Sequence, residues 1–472
     1  MVTATATASA GLIFFEDVAE EIEVLPIPAA DLREREPGEP YTILMLGSDQ
    51  REGAAAEDQR SDTTMLLRLD PGEQVLSLLS LPRDLSVSIP GLGTDKLNAA
   101  YSAGGPKLVL KTVASLTGLD INEVVDVDFQ GFADAVNAIG CVYIDVDQDY
   151  YIPPGTGVSE IDINAGYQRL CGLKALQFVR YRHTDNDIVR GARQQTFLRE
   201  ARQRVDVSDL VLGGGGGELL DAFVENTRTT IDDAGEVRDV ARSLFDLRGA
   251  SVNQVEVEGD LGVTDITATQ DEVRRAVDKF LHGASEEEQA EQDGGGKGEP
   301  AGGRGEGGDG ESNDEPEVAE LPPSDPRFST YARTADRRLG FPIYYPARLP
   351  GSTTFSDDSR TYEYKDPDDD VERAYKLVMA RPHPEIVTEY YGMMGTTWED
   401  PPILESPSET RTIDGREYLL FYAGERLRMV GWKEEGSAYW ISNSLLNSLS
   451  ENEMMAIAGA VEVVSPRDAA SG

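Results

Sequence analysis

Apolar residues early in the chain form short runs that predict buried strands, and each run meets a polar cluster at one end. The first run, Tyr41–Asp49, stops at Gly-Ser-Asp. A second, Gln59–Leu69, begins with Arg-Ser-Asp-Thr, and a third, Gln74–Asp84, ends in Leu-Pro-Arg-Asp. Ligands of α/β sheets gather at strand ends, where loops carry polar groups past the core. The pattern therefore predicts a site built from the ends of several strands.

Helical spacing of apolar residues appears further along. Leu108–Leu119 and Phe129–Ile139 place apolar side chains three and four positions apart, which predicts two amphipathic helices lying on the sheet. Helices alternating with strands indicate an α/β domain.

The most informative segment follows these helices. Leu173–Tyr181 ends in an apolar run and is interpreted as a strand, on which Arg180 and Arg182 would share one face. Asp187–Arg204 has few breakers and predicts a helix. Residues three and four apart share a helical face, and this spacing is found in Arg190, Arg193 and Gln194.

Charge makes the same segment stand out. The chain has 43 Lys+Arg against 86 Asp+Glu, a net charge of −43. Between Arg169 and Arg204 the balance reverses, with nine basic residues against three acidic ones. Arginine presents a rigid fork of donors that suits phosphate, so we interpret the segment as an anion site. The alternative is a set of solvated arginines paired with nearby acids. The overall negative charge argues against nucleic acid as a partner.

Six motifs in this order resemble the LytR–CpsA–Psr family: GSDxR, RSDT, SLPRD, KLNAAY, VRYRHTDND and RxxRQQ. The match covers roughly Tyr41 to Arg204, with an extension to about Gly283. The resemblance implies an α-β-α sandwich with a central mixed sheet. It also implies a membrane-anchored, extracytoplasmic phosphotransferase. Such an enzyme moves a glycopolymer from a polyprenyl-pyrophosphate carrier to a peptidoglycan hydroxyl and releases polyprenyl phosphate.

Site residues carry over from the family motif by motif. Asp49 and Asp62 correspond to the aspartates that hold Mg²⁺, with Mn²⁺ as a possible substitute, in keeping with the preference of these ions for oxygen ligands. The residues expected to contact pyrophosphate are Arg83, Lys96, Arg180, Arg182, Arg190, Arg193 and Gln194. The expected catalytic set is Asp49, Asp62, Arg83, Arg190 and Arg193, with Asp185 and Asp187 orienting the arginines. Asp49, Asp62 and no side chain at all are left open as the general base.

Two other functions use the same residues. A polyprenyl-pyrophosphate hydrolase would need the same arginines and metal. A non-catalytic binding protein for the lipid carrier would keep the arginines but would not need Asp49 and Asp62. A transcriptional role lacks a helix-turn-helix pattern or a basic patch suited to DNA.

The resemblance and the composition together divide the chain. Residues 41–283 form the expected catalytic domain, with its motif core at 41–204. Residues 284–326 are rich in Gly and acids with almost no large apolar residue, which predicts a disordered linker. Residues 1–40 are expected to be the remnant of a membrane anchor and stalk. Within them, Ala4–Phe15 is apolar but shorter than the ~20 residues that span a bilayer, and we expect it to be the tail of a membrane helix.

Residues 327–464 predict a smaller α+β domain, interpreted as an accessory module that binds wall polymer or a protein partner. Asp-Gly within Thr410–Ala423 predicts a hairpin, and Glu425–Ser444 predicts two further strands. Pro384–Met394 is interpreted as a helix, and Ser450 as the N-cap of a last helix.

The two cysteines, Cys141 and Cys171, lie in the expected catalytic domain. An even number of cysteines in an exported protein favours a disulfide. The pair would close the loop 142–170, a constraint of about 3 kcal/mol in the chain-entropy model. Two buried free thiols are the alternative.

Overall fold

The structure is a computed structural model that describes most of two compact units, Met1–Gly283 and Ala284–Gly472. The described residues are 23–34, 39–48, 61–155, 160–181, 187–204, 227–233, 251–257, 259–261, 265–282, 320–384, 386–424 and 426–464, with single positions between 235 and 247. The expected anchor remnant before residue 23 and the expected linker up to residue 319 lie outside them. Within the described ranges, no helix has both the length and the apolar character needed to cross a bilayer.

The first unit alternates strands and helices, as predicted. Its strands are β1 Glu23–Val24, β2 Tyr41–Ser48, β3 Ser61–Asp70, β4 Val75–Leu81, β5 Ser86–Ile89, β6 Gly93–Lys96, β7 Glu123–Asp128, β8 Val142–Val146, β9 Tyr150–Ile152, β10 Ile161–Ile163, β11 Gly166–Leu170, β12 Thr227–Thr229, β13 Ser251–Glu256, β14 Asp260–Leu261 and β15 Ile266–Thr267. Its helices are α1 Leu97–Thr117, α2 Phe129–Ala138, α3 Gly172–Arg180, α4 Asp187–Arg202 and α5 Gln270–His282.

A mixed sheet with the order β1-β12-β7-β2-β3-β4-β13 forms the centre of this unit. Strand β2 runs parallel to β7 and antiparallel to β3, and β4 runs antiparallel to β3 and parallel to β13. The carboxyl ends of β2, β4, β7 and β13 therefore lie at the same sheet edge as the start of β3. The described ends of β2, β3 and β4 next to the predicted motifs meet at this edge.

Both faces of the sheet are covered, which explains why its strands read as nearly continuous apolar runs. Successive side chains point to opposite faces. Leu44 packs in one core with Val113 of α1 and Phe280 of α5. Its neighbour Ile43 packs in another, against which Leu198 of α4 lies. The α/β class with a central mixed sheet is thus confirmed.

The predicted strand at Leu173–Tyr181 is wrong, because these residues form helix α3. Ala175, Phe178 and Val179 are buried while Leu173 is 66% exposed, which is the helical spacing of an amphipathic segment. The end of this segment, Phe-Val-Arg-Tyr, contains residue types that are common in strands. The residues before it, Leu-Lys-Ala-Leu-Gln, favour a helix. Arg180 therefore ends a helix and does not lie on a strand, and Arg182 lies outside the described residues.

The predicted disulfide between Cys141 and Cys171 is present, with the two Cα atoms 4.6 Å apart. It joins the residue before β8 to the residue before α3. These elements pack in a small separate core with Val142, Phe178 and Phe197 of α4.

The second unit is an antiparallel sheet packed against two helices. Its strands are β16 Ile343–Pro346, β17 Thr354–Phe355, β18 Arg360–Lys365, β19 Val371–His383, β20 Val387–Thr396, β21 Glu409–Ile413, β22 Arg416–Ala423, β23 Arg426–Glu434, β24 Ser437–Ser442 and β25 Val461–Val464, and its helices are α6 Arg327–Leu339 and α7 Glu451–Gly459. The Asp-Gly hairpin and the last helix, capped by Ser450, are confirmed.

The predicted helix at Pro384–Met394 is wrong, because Val387–Thr396 is strand β20. Its β-branched and aromatic residues favour a strand, and Tyr391 and Met393 alternate into the core of this unit. Pairing with β19, which directly precedes it, and with β24, which lies later in the chain, decides the conformation of this segment.

Candidate active site

Residues from three motif-bearing elements and from the end of β13 line a cleft at the sheet edge described above. The lining residues are Thr63, Thr64, Ser80, Leu81, Pro82, Ile188, Arg190, Gly191, Gln194, Glu256 and Val257. They come from the RSDT strand β3, the SLPRD end of β4, the RxxRQQ helix α4 and the end of β13. Motifs more than 100 residues apart in the sequence thus meet in one place.

Helix α4 approaches β4 closely because residue 191 is glycine. A Cβ atom at Gly191 would stand 2.9 Å from Ser80 Oγ, closer than such atoms come in proteins. Arg190 on the same turn is 5% exposed and lines the cleft. One turn later, Gln194 donates from Nε2 to Thr63 Oγ1 at 2.8 Å and to the Val179 carbonyl at 3.2 Å. Gln194 therefore connects the helix to the RSDT strand.

Arg193 has different surroundings. It is fully buried, and its guanidinium lies 4.5 Å from the centre of the Tyr150 ring. Its Nε donates to the Tyr150 hydroxyl at 3.2 Å and its Nη1 to the Tyr181 carbonyl at 2.9 Å. Arg193 does not line the cleft, and these contacts hold the chain at Tyr181, where α3 ends.

Two further predicted contacts, Arg83 and Lys96, share one carboxylate. Lys96 Nζ lies 3.0 Å from Asp84 Oδ1, and Arg83 Nε lies 3.7 Å from Asp84 Oδ2. The backbone of Arg83 accepts a hydrogen bond from Asn98 at 3.0 Å, which ties the PRD turn to the start of α1. Arg83 follows Pro82, which lines the cleft, and Lys96 is joined to this turn through Asp84.

Arg180 lies at the end of α3, with its guanidinium 3.8 Å from the centre of the Phe129 ring. Phe129 follows Asp128, whose backbone pairs with Ser48 at the carboxyl end of β2. Arg180 is thus placed at the β2–β7 part of the same sheet edge. Among the other predicted site residues, Asp49, Arg182, Asp185 and the side chains of Asp62 and Asp187 lie outside the described part of the structure.

The cleft offers hard oxygen donors, which are the ligands that Mg²⁺ and Mn²⁺ prefer. They are the hydroxyls of Thr63, Thr64 and Ser80 and the carboxylate of Glu256. The residues present therefore fit a divalent cation. Glu256 was not predicted as a site residue, although an acid at the end of a strand, here β13, is a signal of the kind that singled out Asp49.

A buried network that sequence reasoning also missed lies below the end of β2. The Tyr101 hydroxyl donates to Asp126 Oδ2 at 2.7 Å, and Arg228 Nη2 donates to the same oxygen at 2.5 Å. Burial raises the pKa of Tyr101, and the charge of Asp126 raises it further, so the phenol keeps its proton. Ser48 faces this hydroxyl. The network links the KLNAAY helix to the strand that precedes Asp49.

A family model described as the LytR_cpsA_psr family matches residues 17–285. TagT of Bacillus subtilis is 35% identical over 172 residues, which are 35% of this chain and 53% of that protein. TagU of Oceanobacillus iheyensis is 34% identical over 198 residues, which are 40% of this chain and 58% of that protein. Both are named polyisoprenyl-teichoic acid–peptidoglycan teichoic acid transferases.

LcpB of Corynebacterium glutamicum, named a probable cell wall biosynthesis protein, is 33% identical over 231 residues, 45% of this chain and 53% of that one. The matches span about half the length of these relatives. Among solved structures, that of B. subtilis TagT is similar with a TM-score of 0.43 and 24% identity, over 55% of this chain and 98% of that chain. The structure of TagT with bound octaprenyl pyrophosphate lipid is similar with a TM-score of 0.42 and 24% identity, over 56% of this chain and 98% of that chain.

Proposed function

Because this chain belongs to the LytR_cpsA_psr family, we propose that it transfers a phosphate-linked glycopolymer from a polyprenyl-pyrophosphate carrier to a peptidoglycan hydroxyl. The names of its relatives TagT and TagU describe a transfer of this kind, from a polyisoprenyl carrier to peptidoglycan. In this proposal the protein acts at the extracytoplasmic face of the cell membrane, where the lipid carrier and the wall meet.

The cleft at the sheet edge is the observation that carries the proposal. It combines a buried arginine, Arg190, with the amide of Gln194 and with hydroxyls from two strands. Arg83 and Lys96 lie beside it, held by Asp84. Two or more cations converging with hydrogen-bond donors suit a pyrophosphate, which carries charge on both phosphorus centres.

The reaction mainly needs positioning and neutralisation of charge. The acceptor oxygen attacks the phosphorus that bears the sugar, and the bond from that phosphorus to the polyprenyl phosphate breaks. The acceptor gives up its proton, and polyprenyl monophosphate leaves with the bridging oxygen. Arg190 and Arg83 stabilise the negative charge on the two phosphates. Gln194, whose Nε2 donates to Thr63 and to the Val179 carbonyl, keeps α4 against β3 and so positions Arg190.

A Mg²⁺ ion, or Mn²⁺, would be held by Asp49 and Asp62, with Glu256 and the cleft hydroxyls near it. When bound, the metal would supply Lewis-acid stabilisation of the phosphate oxygens. Tyr101 of α1 and Arg228 of β12 both bind Asp126 on β7, the strand that pairs with β2.

The test is an assay with a polyprenyl-pyrophosphate-linked glycan and peptidoglycan fragments, with Mg²⁺ or with a chelator, in which products are identified by mass. We expect a phosphodiester-linked glycan on peptidoglycan and free polyprenyl monophosphate, both lost with chelator. Sugar phosphate with unmodified peptidoglycan would instead indicate a hydrolase. Retention of the intact lipid without turnover would indicate a carrier-binding protein.

A further inference from the structure

Part of the basic segment Arg169–Arg204 lies away from the cleft. Arg199 is neutralised locally, since its Nε lies 3.1 Å from Glu200 Oε1 and its Nη1 donates to Gln254 at 2.8 Å. Arg169 on β11 and Arg204 after α4 are different, because both approach Gly140. We call these two arginines, with Gly140 and Tyr143, the Gly140 patch.

The contacts of the patch place two guanidinium groups close together. Arg169 Nε donates to the Gly140 carbonyl at 3.2 Å. Arg204 Nη2 lies 3.7 Å from the position that a Cβ atom on Gly140 would take. The Arg204 guanidinium is 5.7 Å from the centre of the Tyr143 ring, and Tyr143 is the cross-strand partner of Arg169. The two cations are therefore neighbours on one surface.

No carboxylate among the described residues forms an ion pair with either arginine of the patch. This is unusual, since the chain has 86 acidic residues and only 43 basic ones. Two like charges placed together repel each other, and the repulsion is relieved when an anion binds between them. A guanidinium pair of this kind suits a phosphate group, because each fork can donate two parallel hydrogen bonds.

The patch is also rigid before any ligand arrives. Gly140 has a φ of 77°, a left-handed conformation that glycine adopts without strain. It precedes Cys141, and Arg169 lies two residues before Cys171, so the disulfide joins the two segments that form the patch. Because little order has to be gained on binding, such preorganisation strengthens affinity.

The position of the patch relative to the cleft indicates what it binds. Arg204 lies fourteen residues after Arg190, which lines the cleft at the other end of α4. At 1.5 Å per residue this is about 20 Å along the helix direction. A single pyrophosphate does not cover that distance, but a polymer attached to it does.

We propose that the Gly140 patch binds a phosphodiester within the chain of the glycopolymer being transferred. The proposal rests on the proposed function, and it deepens that function by naming the substrate class: a polyanionic glycopolymer with phosphates along its length. The cleft holds the pyrophosphate end, and the patch holds a later repeat of the same molecule.

The test compares two double variants. The patch variant carries Arg169→Gln and Arg204→Gln, and the control variant carries Arg274→Gln and Arg275→Gln. The control removes two charges from α5, where Arg274 is exposed and forms an ion pair with its neighbour on the helix, Asp271. Binding is measured for a lipid-free poly(glycerol phosphate), a neutral glucan of equal length, inorganic phosphate and polyprenyl pyrophosphate. Melting temperatures establish that all variants are folded.

We expect wild type and control to bind poly(glycerol phosphate) and not the glucan, with affinity that falls as salt is added. The patch variant should bind it at least about tenfold more weakly, since two charge-assisted hydrogen-bonding groups are lost. Its affinity for polyprenyl pyrophosphate should stay unchanged. Equal polymer affinity in the patch variant would overturn the proposal, as would a lack of polymer binding by wild type.

The two proposals fail in different ways. If inorganic phosphate binds at the patch as tightly as the polymer does, the patch is a site for free phosphate and the polymer assignment is wrong. If polyprenyl pyrophosphate is not bound by wild type at all, the proposed function itself fails. If wild type binds polyprenyl pyrophosphate but does not bind the polymer, only the assignment of the Gly140 patch is wrong.

Discussion

Buried polar side chains serve different ends in the two units. In the first unit Arg190 and Gln194 are each less than a tenth exposed, and both line a cleft. In the second unit the buried Glu389 is enclosed by Arg381 and Ser448, which bind its two carboxylate oxygens. A polar group enclosed by partners contributes to the fold, whereas one placed beside a cleft can also bind a ligand.

The first way to test this comparison is Arg190→Ala, for which we expect the largest effect. Transfer activity should fall by about 10²–10³-fold, the usual cost of losing a charge-stabilising donor. Arg68→Ala is the matched control, since Arg68 lies on the same sheet, on β3, and pairs with Asp70 at 3.3 Å, at the end away from the cleft. Steady-state rates should separate the two variants, and similar rates would show that the cleft is wrongly assigned.

Glu389→Ala should show the opposite behaviour. It leaves the partly buried Arg381 with Ser448 and the more distant Glu453 as partners. The loss of Glu389 should therefore cost about 3 kcal/mol of unfolding free energy, at the low end for a broken buried ion pair. Transfer catalysed by the folded protein should be unchanged, because Glu389 lies in the second unit. Denaturant unfolding gives the stability, and a loss of activity in folded Glu389→Ala would mean that this unit takes part in the reaction.

Glu123→Gln tests a buried polar group at the start of β7, the end of that strand away from the cleft. Burial raises the pKa of Glu123 to about 7, and the charges of Glu236 and Asp232 add to the shift, while hydrogen bonds from Thr230 and Tyr41 oppose it. A raised pKa in the folded state stabilises the protein below the ordinary pKa of glutamate, near 4.5. This stability is lost as the pH rises through about 7.

The glutamine variant has no proton to lose, so its stability should change less between these pH values. At pH 8 it should be more stable than wild type by about 1–3 kcal/mol, and the difference should shrink near pH 4. Thermal unfolding across this range measures the effect. A parallel pH dependence in both proteins would contradict the assignment.

The smallest expected effect is that of Ser450→Ala in the second unit. Ser450 Oγ accepts from the Glu453 backbone at 3.2 Å, and Glu453 closes the capping box. Loss of the cap should cost about 1 kcal/mol, measured by denaturant unfolding. Ser329→Ala, on the exposed face of α6, serves as a control for which little change is expected.

The strands β2, β3 and β4 could be predicted because each is a run of apolar residues that ends in a polar cluster, and burial on both faces produces that local pattern. Segments α3 and β20 could not, because each is short and apolar at one end. For β20, pairing with β19 and β24 decided between helix and strand, and no pattern within the segment itself records that pairing.

Within the site, the sequence predicted the arginine-rich helix but could not assign separate roles to its residues. Arg190 and Arg193 share a helical face in the spacing argument, yet Arg190 lines the cleft while Arg193 packs on Tyr150. The difference depends on which neighbours β4 and β9 bring to each side of α4. Glu256 was missed for the same reason. It reaches the site because β13 pairs with β4, and the sequence around β13 does not indicate that pairing.

The sequence by itself determined the family resemblance, the α/β class and the positions of the polar clusters, because each of these depends on residue order and local periodicity. It favoured the Cys141–Cys171 disulfide but left two free thiols as the alternative. Only the tertiary structure decided which of those residues meet. The parallel pairing of β4 with β13 and the close approach of α4 at Gly191 join segments far apart in the chain. Contacts of that kind arise from packing, which no local pattern records.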